Sequence, residues 1–389
     1  MSSTARQRHL DSLRGIAACV VVLVHWCCVY FPYTVFGSQG GYQMHKGWER
    51  LLYTPPLSLG IAGYWAVCIF FVLSGYVLSY QYLGGSASRL KLLMAAAKRP
   101  FRLGGIVVLT VLLGGLLWDR GWVWNQEVAK ITGSIPYFAE YWQGPFSWPF
   151  LLGQIAAFNV FDVARTFNGP LWTIARELEG SLLTYLVLLF IAGWRYRLAA
   201  LAALFFVFKE SEYQAFIFGM IVAHLRRNHS LDHPQPTVRI AAAILFLPAL
   251  FFSSFPYFTG PETLAGTVYG WMSKPILVNS WSMLGAYLVF LATVFSPDAR
   301  DLLRLKFLLY LGRISYGIYG IHFLVLGSFS SWLFLQQIPV MNYTLAVASN
   351  LVMSFAVIVG IAHLLTKWFD DKVIDVCSWA ERRINRFFE

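Results

Sequence analysis

Long runs of apolar residues recur along almost the whole chain, separated by short polar and basic segments. A helix that crosses a bilayer needs about 20 predominantly apolar residues. A barrel strand instead alternates apolar and polar positions, and the sequence has no such alternation. The pattern therefore predicts an all-α membrane bundle of about ten transmembrane helices. The candidate spans are 12–31, 61–83, 103–118, 170–192, 198–208, 213–225, 239–256, 277–295, 307–327 and 345–367.

One further apolar stretch, 146–162, differs from the candidate spans. It contains Pro149, Gly153, Gln154 and Asn159. These residues disfavour a continuous helix in the apolar part of a bilayer. We therefore expect a re-entrant or interfacial segment here.

The composition agrees with a membrane protein. Of the residues, 58% are hydrophobic and 13% are charged, whereas about 25% are charged in a typical soluble domain. This composition excludes a disordered chain and disfavours an ordinary soluble domain. The five cysteines form no C-x-x-C pair, so we expect neither a disulfide framework nor a metal site. We interpret residues 1–389 as one integral-membrane domain, with a core of 10–370 and a short cytoplasmic tail of 371–389.

The net charge of +11 is compatible with nucleic-acid binding, but the positions of the basic residues favour a membrane topology. With the N-terminus in the cytoplasm, all but eight of the 30 lysines and arginines lie in segments on the cytoplasmic side. The eight are Lys46, Arg50, Arg120, Lys130, Arg165, Arg176, Lys209 and Lys274. Both termini are therefore predicted to be cytoplasmic, and no nucleic-acid partner is expected. A cleaved signal peptide is the alternative for the N-terminus, but Arg14, His25 and Trp26 interrupt its apolar stretch.

The first candidate span carries three ionisable residues, Asp11, Arg14 and His25. Ionisable groups inside a span are costly and mark functional sites by default. Eleven residues make close to three helical turns, so Arg14 and His25 share one face and lie about 16 Å apart along the axis. Asp11 precedes Arg14 by three residues, where opposite charges can pair. We expect this stripe to be functional, and the alternative is a structural histidine bonded to a neighbouring helix.

Two arginines, Arg99 and Arg102, flank Pro100 where the third candidate span begins. Proline suits the first turn of a helix. Two guanidiniums at a helix start, on the predicted cytoplasmic side, are suited to bind phosphate. The alternative is ordinary anchoring of a span by positive charge.

The fourth candidate span begins near Trp172, which suits a membrane interface, and contains Glu177 and Glu179. Two residues apart on a helix, these carboxylates point to different faces. One is expected to face the bundle interior, where it could hold the tautomer of a histidine. The alternative is a pair with Arg176 at the outer interface.

The ninth candidate span places Ser315, Tyr319 and His322 at i, i+4 and i+7, on one polar face of an apolar helix. His322 is therefore a second intramembrane histidine, with helix–helix hydrogen bonding as the alternative role. In the second span, Ser74 and Gly75 form a small pair that permits close helix approach. Ser74 could also line a site.

Taken together, these segments resemble the acyltransferase-3 family of integral-membrane acyltransferases. The matching segments are 10–18 running on to His25, 70–76, 99–102, 172–177 with Gly180 and Ser181, and 315–322. The resemblance implies that the first-span histidine is catalytic, the first-span arginine essential, and the R-x-x-R motif involved with acyl-CoA. Members move acyl groups, usually acetyl, from cytoplasmic acyl-CoA to hydroxyls of sugars, polysaccharides, lipids or natural products. Some members carry a fused SGNH-type esterase domain, which these residues do not resemble. The family often has Glu where Asp370 stands, so Asp370 is given no role.

The residues and the resemblance together predict a membrane O-acyltransferase that uses acetyl-CoA or another acyl-CoA as co-substrate and no metal. We expect His25 to act as general base on an acceptor hydroxyl, with its other nitrogen held by a carboxylate such as Glu177. The full catalytic set is His25, Arg14, Glu177, Asp11 and His322. The donor is expected to contact Arg99, Arg102, Ser74, Trp172 and Tyr316, in a cavity bounded by the first, second, fourth and ninth spans.

The main alternative function is a transporter or exporter of a glycan or lipid intermediate, because polar residues inside a membrane also mark transport pathways. The sequence lacks the visible inverted repeat common in transporters. The expected partners are a small-molecule or glycan hydroxyl acceptor and the lipid bilayer. The expected location is an integral, multi-pass one, with a plasma or inner membrane favoured. The acceptor itself is not specified by these residues.

Overall fold

The computed structural model describes residues 7–83, 88–228 and 236–388, and within these ranges the chain forms helices and no β-strand. This confirms the predicted all-α class. Ten main helices are labelled in chain order. They are α1 Arg8–Tyr30, α2 Gly63–Tyr80, α3 Arg89–Asp119, α4 Trp172–Ile191, α5 Arg197–Val207, α6 Tyr213–Asn228, α7 Pro236–Ser253, α8 Trp281–Phe295, α9 Lys306–Val325 and α10 Tyr343–Leu365.

Two main helices continue past a single π-helical turn. After α9, the turn Leu326–Ser330 leads into the helix Ser331–Gln337. After α10, the turn Thr366–Asp370 leads into Asp371–Phe388. The predicted tail of 371–389 is therefore helical over its described part, and residues 1–6 and 389 of the predicted domain lie outside the described residues.

Short helices connect the main ones. They are Tyr33–Phe36, Gln39–Gly41, Gly47–Tyr53, Leu57–Ile61, Asn125–Thr132, Ile135–Phe138, Trp148–Ala156, Val160–Phe167, Gly169–Leu171, Pro261–Leu264 and Pro297–Leu302. The stretch 146–162, expected to interrupt a continuous helix, contains the helix Trp148–Ala156 and the start of Val160–Phe167, with Phe158 between them in a left-handed conformation (φ 58°).

Each of the ten predicted runs lies mainly within one main helix. Among the described residues, five helices are long and apolar enough to cross a membrane: Arg8–Tyr30, Gly63–Tyr80, Arg89–Asp119, Lys306–Gln337 and Tyr343–Arg383. Three shorter apolar helices are Arg197–Val207, Arg239–Ser253 and Trp281–Phe295. The protein is therefore a membrane protein, and the number of ten spans and the cytoplasmic termini remain predictions.

Helix α1 packs along α9 and also against α2. Two glycines allow the close approach of α1 and α9. A Cβ atom on Gly15 would lie 2.5 Å from the backbone nitrogen of Gly312, and one on Gly312 would lie 2.2 Å from the carbonyl oxygen of Asp11. Because any side chain would separate the backbones, glycine at both positions sets the distance between the two helices that carry His25 and His322.

A second close approach joins α2 to α6. A Cβ atom on Gly75 would lie 2.0 Å from the carbonyl oxygen of Phe216, and one on Gly219 would lie 2.2 Å from that of Val72. The prediction that the Ser74–Gly75 pair permits close helix packing is therefore confirmed. This contact holds the part of α2 that contains Ser74 in the core of the bundle.

Candidate active site

A cavity of about 530 Å³ lies among the N-terminal parts of α1, α3 and α9, with α2 and α4 behind them. We call it the basic cavity. The predicted boundary of first, second, fourth and ninth spans is confirmed, since α1, α2, α4 and α9 all line it. Two further elements contribute to the wall, namely α3 and the segment that follows α10.

Charged side chains of both signs line the basic cavity, with basic ones in excess. The six basic residues are Arg8, Arg14, Arg99, Arg102, Lys306 and Arg313, and the four acidic residues are Asp11, Glu177, Asp370 and Asp371. The arrangement suits a ligand that carries several negative charges and a less polar portion.

A largely buried ion pair in the cavity wall joins α3 to α4. Arg99 donates to Glu177 Oε1 at 2.8 Å, and each side chain is only 11% exposed. Ser74 donates to the same carboxylate oxygen. Arg99 Nε donates to Ser181 Oγ at 3.0 Å, and that hydroxyl donates to the Glu177 carbonyl at 2.6 Å. These bonds fix the Arg99 guanidinium within the protein.

Arg99 and Arg102 therefore differ in what they offer a ligand. Arg102 is exposed and makes no hydrogen bond or ion pair to another described residue, although it lines the same cavity. The two were expected to act as a matched phosphate-binding pair. Because Glu177 already neutralises Arg99, the guanidinium open to an incoming anion is that of Arg102.

Arg14 lies deeper along the polar stripe of α1. It lines the cavity, and no described residue forms a hydrogen bond or ion pair with it. The charges of Glu177 and Asp11 both act on it. Arg14 is thus a half-buried cation held near carboxylates without being bonded to them, which leaves its N–H groups to a ligand.

His25 and His322 form a direct pair between α1 and α9. His25 Nδ1 lies 3.2 Å from His322 Nε2, and the ring centroids are 5.1 Å apart. His25 Nδ1 also lies 2.8 Å from the carbonyl oxygen of Val21. His322 Nδ1 lies 2.8 Å from the carbonyl of Tyr319 and 3.2 Å from that of Ile318. The structure thus brings together two candidates that are 297 residues apart.

These contacts determine which ring nitrogens carry protons. A carbonyl oxygen only accepts, so both Nδ1 atoms must be donors in the neutral rings. His322 Nε2 then has a lone pair and accepts from His25 Nδ1. The remaining nitrogen, His25 Nε2, has a lone pair and no partner among the residues described. His25 is half-buried and His322 is buried.

Glu177 does not hold His25 as expected. Its bonded oxygen is occupied by Arg99 and Ser74, and the second oxygen, Oε2, is buried without a hydrogen-bond partner in the described chain. The role expected of a carboxylate is taken by the Val21 carbonyl and His322. The reason is geometric: Glu177 of α4 is paired with Arg99 of α3, while His25 lies about three turns further along α1 than Arg14.

The inner wall of the basic cavity separates it from the histidine pair. Phe70 and Tyr319 line the cavity, and their ring centroids are 5.7 Å apart. The Tyr319 ring also lies 5.7 Å from His322. The Tyr319 hydroxyl is bonded to the Thr173 hydroxyl and the Pro170 carbonyl. Tyr319 is thus anchored, whereas Phe70 has only packing contacts.

Of two residues predicted to contact the donor, one lines the basic cavity and the other does not. Tyr316 lines the cavity, and its hydroxyl donates to the Leu103 carbonyl at 2.6 Å. Trp172 does not line it and is 39% exposed, while Thr173 and Ile174 face the cavity instead. The one-residue difference follows from the 100° rotation between successive helical residues.

Sequence reasoning missed several cavity residues. Arg8, Lys306 and Arg313 were treated only as cytoplasmic charges, and Asp370 was given no role, yet all four line the cavity. Arg313 is paired with Asp371 at 3.0 Å. The available signal was that Arg8 and Lys306 each begin a helix on the predicted cytoplasmic side. Among the described residues, no group of three or more His, Cys, Asp or Glu is arranged to hold a metal ion.

Comparison with known proteins supports one chemistry. The profile of a family described as an acyltransferase domain matches residues 8–363. Acyltransferase R4 of Phoma sp. is 25% identical over 93% of this chain and 90% of its own. O-acetyltransferase PaAT-1 of Phomopsis amygdali is 23% identical over 97% of this chain and 85% of its own. Acyltransferase clz18 of Cochliobolus lunatus is 24% identical over 73% of this chain and 72% of its own. No solved structure matches significantly.

The matched region includes α1 to α9, and therefore both histidines and nearly all of the charged cavity lining. The predicted family is confirmed, and the enzyme is favoured over the transporter that the sequence left as an alternative. The chain belongs to the acyltransferase-3 family of membrane proteins and is an enzyme that transfers acyl groups.

Proposed function

We propose that this enzyme is an O-acetyltransferase that moves acetyl from acetyl-CoA to a hydroxyl of a small-molecule or glycan acceptor, with His25 as general base. The observation that carries the proposal is the unpaired Nε2 of His25, whose ring is fixed in the tautomer that a base requires. The relative described as an O-acetyltransferase supports the choice of acetyl.

The donor would bind through its phosphates at the mouth of the basic cavity. Arg8, Arg102 and Lys306 line the cavity, and none of them forms a hydrogen bond or ion pair with another described residue. Charge-assisted bonds from such groups to phosphate are among the strongest available. We infer that this mouth faces the cytoplasm, where acyl-CoA is found, in a bundle of about ten spans with both termini on that side.

Arg14 would guide the donor rather than stabilise the reacting carbonyl. It lies about 16 Å from His25 along α1, which exceeds the reach of one side chain. We therefore place the Arg14 guanidinium on the donor, away from the thioester carbonyl that the acceptor oxygen attacks. An arginine halfway along the path can instead bind the polar arm of CoA and leave the thioester to extend toward Phe70, Tyr319 and the histidine pair.

The reaction would proceed by direct transfer. His25 Nε2 removes the proton from the acceptor hydroxyl as its oxygen attacks the thioester carbonyl. The tetrahedral intermediate collapses with cleavage of the carbon–sulfur bond, and the acetyl ester is formed. The CoA thiolate then takes the proton from the His25 imidazolium, which restores the neutral base.

The test is release of free thiol from acetyl-CoA by detergent-purified protein, with radiolabelled acetyl followed into a mixed extract of host metabolites, lipids and glycans. We expect label in an acceptor with the wild type and not with His25→Ala. The matched control is His363→Ala, since His363 lies exposed on α10 and is hydrogen-bonded to Tyr310, away from the histidine pair. Normal transfer by His25→Ala would overturn the proposal.

A further inference from the structure

The histidine pair assigns a second residue to the reaction. We propose that His322 is a positioning residue, which holds His25 in its reactive tautomer and accepts a stronger hydrogen bond from it when His25 takes a proton. This inference rests on the function proposed above. It concerns how the base is held, a role for which the sequence suggested a carboxylate.

The first step of the argument is that His322 can only accept from His25. Its Nδ1 lies between two carbonyl oxygens of its own helix, those of Tyr319 and Ile318, at 2.8 and 3.2 Å. That nitrogen is therefore protonated, and Nε2 carries the lone pair. The His322 side chain is only 1% exposed, so water does not compete for that lone pair.

The second step is that this lone pair selects the tautomer of His25. Nδ1 of His25 is directed at two acceptors at once, the Val21 carbonyl at 2.8 Å and His322 Nε2 at 3.2 Å. A proton on Nδ1 is shared between both acceptors, whereas the other tautomer would set three lone pairs against one another. The base is thus kept on Nε2, the nitrogen that has no partner within the described protein.

The third step concerns the charge that forms during transfer. The positive charge of an imidazolium in an apolar interior must be stabilised by a neighbouring group. Glu177, the carboxylate that the sequence suggested for this role, is paired with Arg99. The His25 Nδ1–H bond to two neutral acceptors strengthens when the ring becomes cationic. The proton remains on His25, because His322 already donates from Nδ1 and would become an imidazolium itself if it took another.

The acceptor position distinguishes this role from mere packing. In His322→Gln, the amide oxygen can reach the position of Nε2 and accept from His25. In His322→Asn, the shorter amide reaches only the position of Nδ1. In His322→Leu, the volume is retained and no acceptor is present. A structural role predicts that the Gln, Asn and Leu variants differ only through folding, whereas the positioning role predicts that the Gln variant alone keeps a kcat near that of the wild type.

The experiment measures acetyl transfer and thermal unfolding for the three variants in the same detergent preparation. We expect kcat to fall about 10- to 100-fold in Asn and Leu, the effect usual for partners that orient a functional group. We expect Gln to recover to within several-fold of wild type. The KM for acetyl-CoA should be unchanged in all three, because the donor-binding mouth lies apart from the pair.

Nitrogen-15 spectra of histidine-labelled protein provide a second readout. Each ring nitrogen reports whether it is protonated. Wild type and His322→Gln should give the Nδ1–H form of His25. His322→Leu, which keeps only the Val21 carbonyl as acceptor, should show a larger share of the Nε2–H form. Equal kcat for Leu and wild type, or equal kcat for folded Gln and Asn, would overturn this inference. Loss of activity in His25→Ala together with normal activity in His322→Leu would leave the proposed function intact and remove only the role of His322.

Discussion

The strongest structural prediction concerns the crossing of α1 and α9 at Gly312. In Gly312→Ala, the new methyl carbon would lie 2.2 Å from the Asp11 carbonyl oxygen and 2.3 Å from its carbon. Both partners are backbone atoms in a helix and cannot rotate away. Since non-bonded heavy atoms need roughly 3.5 Å, the two helices must separate by about 1 Å at this point.

The same separation would reach the histidine pair. His25 and His322 lie on α1 and α9 at a hydrogen-bond distance of 3.2 Å. A rigid shift of about 1 Å would lengthen this contact beyond the limit of a hydrogen bond. We expect the free energy of unfolding to fall by about 1–3 kcal/mol, as for other overpacked cores. We expect kcat to fall by about 100-fold, since misplacement on this scale has that effect on catalysis.

The assay compares acetyl transfer and the thermal unfolding midpoint in one preparation, at a temperature well below the midpoint. Gly360→Ala is the matched control, because Gly360 lies within helix α10 and a Cβ atom there meets nothing within 4 Å. Removing a helical glycine at such a site should raise stability slightly. If Gly312→Ala behaves like Gly360→Ala in both kcat and midpoint, the reasoning from the close crossing is refuted.

Three further predictions concern single charged residues. Arg102→Gln should raise the KM for acetyl-CoA about tenfold with little change in kcat, since it removes one charge-assisted phosphate contact; an equal effect in Arg176→Gln, outside the cavity, would contradict this. Glu177→Gln should lower the free energy of unfolding by about 3 kcal/mol, because it leaves the Arg99 guanidinium buried without a counter-charge. The double variant Glu177→Gln with Arg99→Gln should recover part of this loss. If the losses of the two single variants add, the ion pair does not stabilise the fold. Burial raises the pKa of the Glu49 carboxyl, so folding favours its protonated form and that stability is lost as the pH rises through the raised pKa. Glu49→Gln should therefore raise the unfolding midpoint at neutral pH, with the gain fading as the pH falls toward about 4.3, and a gain that persists at low pH would count against this cause.

Much of the helical architecture could be predicted because it depends on neighbours in the chain. The length of an apolar run and the 100° rotation per residue decide where a helix forms and which residues share a face. Arg14 and His25 on one stripe, and Ser315 and His322 on another, follow directly from that geometry. The family resemblance came from the same short segments, and the profile match over 8–363 confirms it.

The sequence was less informative about which individual residues of a helix face the cavity. Trp172 was expected at the donor, but the cavity is lined by Thr173 and Ile174. Near the end of a helix, the register depends on where the first turn begins, and the short helix Gly169–Leu171 precedes α4. A difference of one residue there rotates every later side chain by 100°.

Only the tertiary structure decided which polar groups became partners. Glu177 was free in the sequence to orient a histidine or to pair with an arginine, and the α3–α4 contact committed it to Arg99. His25 and His322 became a hydrogen-bonded pair because glycines bring α1 and α9 into backbone contact. The physical reason is that a helix determines the relative directions of its own side chains by local geometry, whereas its rotation and depth against another helix depend on long-range packing. Local sequence therefore specifies the helices, their polar stripes and the family, whereas the packing of those helices forms the cavity and pairs its side chains.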